Sequence, residues 1–335
     1  MRGLSAALRG PPEPRRRPPE RRDRIATLTG TVPLASIVLE FDPVLRFGDY
    51  GVRLETLGDA AAILVAVVLA ALIAGRTPPR PYGPPWPDDD HHLRRDDLLF
   101  IVLGIVPGAV VAGRLGYVLL HSEFYSATQS AILDPGQGSL ELGLGVVGGT
   151  LTGAYVARLL DAPIGRWLHV AAIPFLVAVG LGKLAMLLGG SGQGQPSNLD
   201  GALAFSGPGP WGSLGPSIPS LPAQVIEAAG TGMAFLVVLL LVALGAFRGR
   251  NGSLFFVALF LWAIARGVAT LTWRDDPAIG MVRAGTLIAV GIGAFALLGL
   301  AVARWAARRA RNQAHATQNG ESGPEWADPE ARPHF

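Results

Sequence analysis

The chain carries seven near-continuous apolar stretches, at about Leu57–Gly75, Leu98–Leu120, Leu140–Leu160, Trp167–Gly190, Ala223–Phe247, Leu254–Trp273 and Met281–Trp305. Each is close to the roughly 20 residues a helix needs to cross a hydrocarbon core. In lipid the backbone must be satisfied within a helix or a closed barrel, and runs this long and unbroken predict helices. Half of the 335 residues are hydrophobic and 16% are charged, too few to cover two or three soluble domains. The expected fold class is therefore all-α: a polytopic membrane protein with about seven transmembrane helices. Arginine supplies 27 of the 28 basic residues, mostly in tails and loops, which fits a membrane surface better than nucleic acid. Cysteine is absent. That excludes a disulfide framework, a zinc–thiolate site, an iron–sulfur cluster and a cysteine nucleophile.

Composition divides the chain into three parts. Residues 1–50 form an arm rich in arginine and proline, followed by a broken apolar segment, Leu34–Phe47, that is too short to span and suits the interface. Residues 51–306 form the membrane domain, and 307–335 a disordered cytoplasmic tail. The cluster Arg15–Arg24 has no apolar run behind it and is not a secretory signal. Arginines near the spans set the orientation. Arg76, Arg80, Arg94, Arg95, Arg158, Arg166, Arg248, Arg250, Arg304, Arg308 and Arg309 fall on the C-terminal side, against Arg46, Arg53, Arg274 and Arg283 on the other. The positive-inside rule then places the C-terminus in the cytoplasm and, with seven spans, the N-terminus outside.

A charge within a span costs roughly 2.5–3.5 kcal/mol on insertion scales, so each asks for a reason. Arg114, Lys183 and Arg266 lie in the later halves of even spans. Asp59, Glu141 and Glu227 lie near the starts of odd spans. With alternating direction, all six map to the outer half of the bilayer. Such a cavity can hold an anionic headgroup, arginine taking phosphate oxygens bidentately and lysine acting as a point charge. The alternative is that the charges pair to fix helix packing, with Asp59, Glu55 and Glu141 snorkelling to the interface. No metal and no cofactor is expected: the tract Asp88-Asp89-Asp90-His91-His92 reads as a solvated charge run, and the histidines assemble no triad or zinc pattern. Gly143-Leu-Gly145-Val-Val-Gly148 matches a dinucleotide fingerprint only formally, inside a span. Gly145, Gly149 and Gly153, four apart, read instead as close helix packing. The loop Gly189 to Pro222 reads as a mobile lid or a plain connector.

Several segments, in order, resemble the prolipoprotein diacylglyceryl transferase family. Ala112-Gly113-Arg114-Leu115-Gly116-Tyr117-Val118-Leu119 resembles its GARLGYVLF segment, and Val52-Arg53-Leu54 its IRWYG segment. The run from Gly138 to Gly149 resembles GGLSFHGGLLGG. Gly182-Lys183-Leu184-Ala185-Met186 through Gly194-Gln195-Pro196-Ser197 resembles GRIGNFINGELYGRPT. Ala223-Gln224-Val225-Ile226-Glu227-Ala228 resembles SQLYEA, and Ala265-Arg266-Gly267 with Arg274-Asp275-Asp276 resembles YRFxxEFxRxPD.

The resemblance covers roughly Val52 to Trp305. It implies transfer of the diacylglyceryl group of phosphatidylglycerol to the lipobox cysteine of a prolipoprotein, with release of glycerol phosphate, in a bacterial inner membrane. It implies that Arg114, Lys183, Arg266 and Gln224 bind the lipid phosphate and that Glu227 is the candidate catalytic carboxylate. Several family positions are replaced. The histidine falls on Gly143, the GRIGN arginine on Lys183 and its asparagine on Met186, a second asparagine on Gly189, the two tyrosines on Ile226 and Glu55, and a glutamate near Thr270. With the histidine gone, no residue stands out as the general base. Two other readings stand beside it: a catalytically silent paralogue that binds anionic lipid or a lipoprotein precursor, which these departures favour, and an unrelated small-molecule transporter using the same charged cavity. The transporter lacks support from any inverted repeat.

Overall fold

The computed structural model describes residues 36–77, 93–134, 139–212, 218–275 and 277–321. In chain order it contains β1 (Ile37–Glu40), β2 (Val44–Phe47), β3 (Tyr50–Arg53), α1 (Leu54–Arg76), α2 (Arg95–Leu120), the short α3 (Ser122–Ala127), α4 (Leu142–Leu159) and α5 (Ile164–Ala185). Then follow β4 (Leu203–Ser206), α6 (Ala223–Ala243), α7 (Ser253–Ala269), β5 (Pro277–Ile279), β6 (Val282–Arg283) and α8 (Ala284–Glu321). Among the described residues, helices α1, α2, α4, α5, α6, α7 and α8 are the seven long and apolar enough to cross a membrane, as the hydropathy pattern requires. The Arg15–Arg24 cluster and the Asp88–His92 tract lie outside the described residues. Helix α8 continues to Glu321, through the first part of the segment expected as a tail.

Helix α7 sits at the centre, packed on α5, α6 and α8. Its sequence explains the position. Leu254, Phe255, Phe256, Leu259 and Trp262 cover more than one face of the helix, and all are buried. A helix apolar all round belongs inside the bundle. Val238 of α6, Leu176 of α5 and Ile292 of α8 complete this core. A second core joins α1, α2, α4 and α5 around Trp167, Ile101, Ala74 and Ala157.

The α2–α4 pair is built on small residues. A Cβ on Gly148 would lie 2.3 Å from the Ala112 Cβ and 2.4 Å from the Gly108 carbonyl oxygen. One on Gly153 would lie 2.7 Å from Ile105. Gly145, Gly149 and Gly153 are all buried along one side of α4. In lipid no hydrophobic force draws helices together, so small residues that let backbones approach supply the packing.

One end of the bundle is capped. There β1 pairs in parallel with β4, Ile37 opposite Leu203, while β2 and β3 form a hairpin leading into α1. The loop between α5 and α6 is neither a bare connector nor an open lid. Ala202, Leu203, Ala204 and Phe205 are buried. Leu203 and Ser220 exchange backbone hydrogen bonds, and the Gly194 and Gln195 amides donate to the Leu221 and Thr272 carbonyls. The Trp211 ring lies edge-on to Phe41 and tilted against Phe205. The loop's Gly, Pro and Ser content suggested flexibility, but paired backbone groups and the buried Phe205 hold its described residues against the helix ends.

Candidate functional site

Just beneath this cap, four charged side chains meet. Lys183 is in the last turn of α5, Arg266 in the last turn of α7 and Glu227 in the second turn of α6. Glu141 is the residue that caps α4. Glu227 Oε2 lies 3.0 Å from Lys183 Nζ and Glu227 Oε1 lies 3.0 Å from Arg266 Nη1. Glu141 Oε1 lies 2.6 Å from Arg266 Nη2. Glu227 is 1% exposed, Arg266 3%, Glu141 6% and Lys183 9%. At that burial each ion forfeits several kcal/mol of hydration, which only close opposite charges and hydrogen bonds offset. Two cations and two carboxylates cancel formally, so the cluster is neutral as a unit.

Each ion is placed by local sequence logic. The Glu141 carboxylate also accepts the Gly143 and Leu144 amides, at 2.9 and 2.5 Å. It caps the start of α4, where the helix dipole favours a negative charge. The Arg266 guanidinium lies between two indoles, 5.7 Å from the Trp262 ring centre and 4.8 Å from that of Trp273. Lys183 Nζ is 5.9 Å from Trp273 as well. Such distances bring cation–π attraction. Trp273 is held in turn: the Arg283 guanidinium donates to the carbonyls of Thr270, Leu271 and Trp273, and Gln195 Nε2 donates to the Trp273 carbonyl.

Gln224 lies one turn before Glu227, on the same buried face of α6. It is 2% exposed, and among the described residues neither its amide nitrogen nor its amide oxygen has a hydrogen-bond partner. Arg266 Nε likewise has none. Buried polar atoms without partners are rare, because each forfeits its hydration uncompensated.

Arg114 is not drawn into the cluster. Its guanidinium donates to the carbonyls of Ala131, Ile132, Asp134 and Ser139, at 2.7–3.3 Å, and faces the Tyr125 ring. Five fixed donors opposite an irregular loop are readily used by its carbonyls. Arg114 still stands at the rim, because the preceding Gly113 carbonyl accepts the Glu141 amide at 2.8 Å. Glu141, expected to snorkel, is buried instead. Its position directly before a helix start was the available signal. Trp273, which faces both cations, had none: nothing in the sequence says that it folds back over them. Glu55 accepts the Ser191 hydroxyl at 2.7 Å and pairs with Arg53 at 3.3 Å, tying the cap loop to α1.

Two positions at which the resemblance implies a larger residue are structurally closed. A Cβ on Gly143, where the histidine falls, would lie 2.6 Å from Ile292 Cδ1 and 2.9 Å from Ile288 Cγ2. A Cβ on Gly189, where an asparagine falls, would lie 2.1 Å from Glu55 Oε2. Side chains of α8 and α1 occupy the space that these residues would need.

A model of the family described as prolipoprotein diacylglyceryl transferase matches residues 45–305. Curated relatives carry the name phosphatidylglycerol–prolipoprotein diacylglyceryl transferase. The Geobacter sulfurreducens protein is 26% identical over 191 residues, 57% of this chain and 70% of its own length. That of Nitrobacter winogradskyi is 26% identical over 288 residues, 83% of this chain and 94% of its own. That of Gluconobacter oxydans is 29% identical over 256 residues, 74% of this chain and 85% of its own.

Proposed function

Because the chain belongs to the prolipoprotein diacylglyceryl transferase family, we propose that it transfers the diacylglyceryl group of phosphatidylglycerol to the cysteine of a prolipoprotein lipobox. The reaction displaces a phosphate ester by a thiol. It needs cations on the phosphate, a proton acceptor for the thiol and a site that opens to lipid. The reactive thiol comes with the substrate, so the absence of cysteine from this chain is no obstacle. The observation that carries the reading is the buried cluster of Lys183, Arg266, Glu227 and Glu141 beneath the cap, on a chain matched over most of its length by the family.

In this reading Lys183 and Arg266 bind the headgroup phosphate, Gln224 donates its amide beside them and Arg114 shapes the rim. Glu141 and Glu227 neutralise part of the cationic charge, so the phosphate is met by the remaining donors: the other Lys183 ammonium protons, Arg266 Nε–H and Gln224 Nε2. Glu227 serves here to hold both cations, and its candidacy as the catalytic carboxylate is weakened by that double engagement. Purified protein, labelled phosphatidylglycerol and a lipobox peptide are expected to yield diacylglyceryl-peptide. Gln224→Ala and Lys183→Ala are expected to lower the rate at least tenfold. No product from a preparation that binds phosphatidylglycerol would reject the transferase and favour the silent paralogue, a reading to which the closed position at Gly143 lends weight.

We place the cap outside a bacterial inner membrane and the end of α8 in the cytoplasm, from the arginine distribution. We keep 1–50 as an arm with an interfacial segment, 51–306 as the membrane domain and 307–335 as the cytoplasmic tail. Since the native chain has no cysteine, Ser36→Cys and Asn312→Cys report the two sides directly. An impermeant maleimide should label the first in intact spheroplasts and the second only after lysis; the reverse pattern would overturn the orientation.

A further inference from the structure

The transfer requires a proton acceptor that the family histidine, replaced here by Gly143, does not provide. We propose that Asp59 of α1 takes this proton, an inference that rests on the transferase reading above. The thiol sulfur attacks the glyceryl carbon bonded to the headgroup phosphate oxygen. A C–S bond forms, the C–O bond breaks, and its electron pair leaves on the phosphate as glycerol phosphate. The thiol hydrogen passes to an Asp59 carboxylate oxygen and from there to the departing phosphate or to water.

Among the described residues, the three glutamates near the two cations are engaged. Glu227 has one oxygen on Lys183 and the other on Arg266. Glu141 holds Arg266 and the first amides of α4. Glu55 holds Ser191 and Arg53. Protonating any of them would break an ion pair at the moment of reaction. Asp59 differs. Among the described residues it makes no hydrogen bond or ion pair, and its electrostatic neighbours are Lys183, on α5, and Glu55, one turn back on α1. It is half-buried and lies on the α1 side that packs on α5: a Cβ on Gly58 would lie 2.7 Å from that of Ala185, and Asp59 Oδ1 lies 3.6 Å from the Cβ position of Gly182, the residue before Lys183. Helix α1 therefore presents the carboxylate on the Lys183 side of the bundle, with neither oxygen taken up by a hydrogen bond or ion pair among the described residues. Of the histidines whose side chains are described, His121 and His169 do not compete on position. His121 stacks on Tyr117, with Nδ1 against the Tyr117 carbonyl, on the Arg114 side. His169 lies two turns into α5, at the end opposite Lys183.

A general base of this kind contributes about 10²–10⁴-fold. The test compares parent and Asp59→Asn with two peptides, one carrying the lipobox cysteine and one carrying selenocysteine in its place, together with phosphatidylglycerol binding. The selenol is ionised near neutral pH and needs no base. Asp59→Asn should bind phosphatidylglycerol like the parent, lose about 10²–10⁴-fold with the thiol peptide, and come within about tenfold of the parent with the selenol peptide. Unchanged thiol transfer, or equal losses with both peptides, overturns the proposal and leaves Asp59 at most a structural role. If Asp59→Asn does not accumulate as folded protein, Asp59→Glu carries the test. It should keep transfer to the thiol peptide within about tenfold, and a larger loss shared by both peptides would again refute the assignment. An inactive parent would instead refute the transferase reading itself, and the base assignment with it.

Discussion

Arg266→Met is expected to be the most damaging single substitution in the charged cluster, costing about 3–5 kcal/mol of stability because it leaves a buried charge network without its partner. Methionine keeps much of the aliphatic stem between Trp262 and Trp273, so the loss reports on charge more than on packing. In the parent the guanidinium separates Glu141 from Glu227, bonding one through each terminal nitrogen. Without it the two carboxylates face each other across a buried site, with only Lys183 to compensate one of them. The released Glu141 still caps α4, so the defect should be concentrated where α4, α6 and α7 meet. Thermal unfolding in detergent measures the loss, and the transfer assay should fall below detection. Glu227→Gln offers a control in the opposite sense: it leaves two buried cations sharing a neutral amide, and should also destabilise. Full stability in Arg266→Met would mean that the helices are held by their apolar contacts alone and that the cluster is not a structural tie.

Restoring the family histidine by Gly143→His is expected to fail, at a cost of about 1–3 kcal/mol for overpacking. The reason lies in α8, not in α4. Ile292 is 1% exposed and its Cδ1 stands 2.6 Å from where the new Cβ must go, with Ile288 at 2.9 Å and the Glu141 carboxylate at 3.2 Å. Ile292 belongs to the central core and has no empty space to turn into. The imidazole would also bring a buried N–H and a buried lone pair that need partners. Combining Gly143→His with Ile288→Ala should recover part of the stability. A single Gly143→His variant with parental stability and a faster transfer rate would show that the position is open to a histidine.

Glycine at 143 removes a side chain, and α8 isoleucines fill the room. Glycine at 189 does the same for α1, where Glu55 stands in a family tyrosine's place and reaches Ser191. Each of these two glycines lies against a side chain from another helix. Viewed one at a time in the sequence they look like losses.

Hydropathy alone determined the seven helices, because a backbone in lipid has few ways to satisfy itself and a span has a minimum length. The alternation of direction also determined that Lys183, Glu227, Arg266 and Glu141 share one depth, since that follows from span parity. The glycines of α4 announced a close helix contact through their spacing of four. What the sequence could not decide was the partner of each charge. Depth is one coordinate, and the azimuth of each helix depends on packing by Trp262, Ile292 and the α2–α4 glycines, which meet residues tens of positions away in the chain. So Arg114, at the same depth as the others, turned to loop carbonyls, whereas Glu141, expected at the interface, was drawn under the cap by Arg266 and by the free amides of α4. The cap itself was illegible for a related reason. Its strands are four residues long and pair β1 with β4 across more than 160 positions, so no local pattern records them.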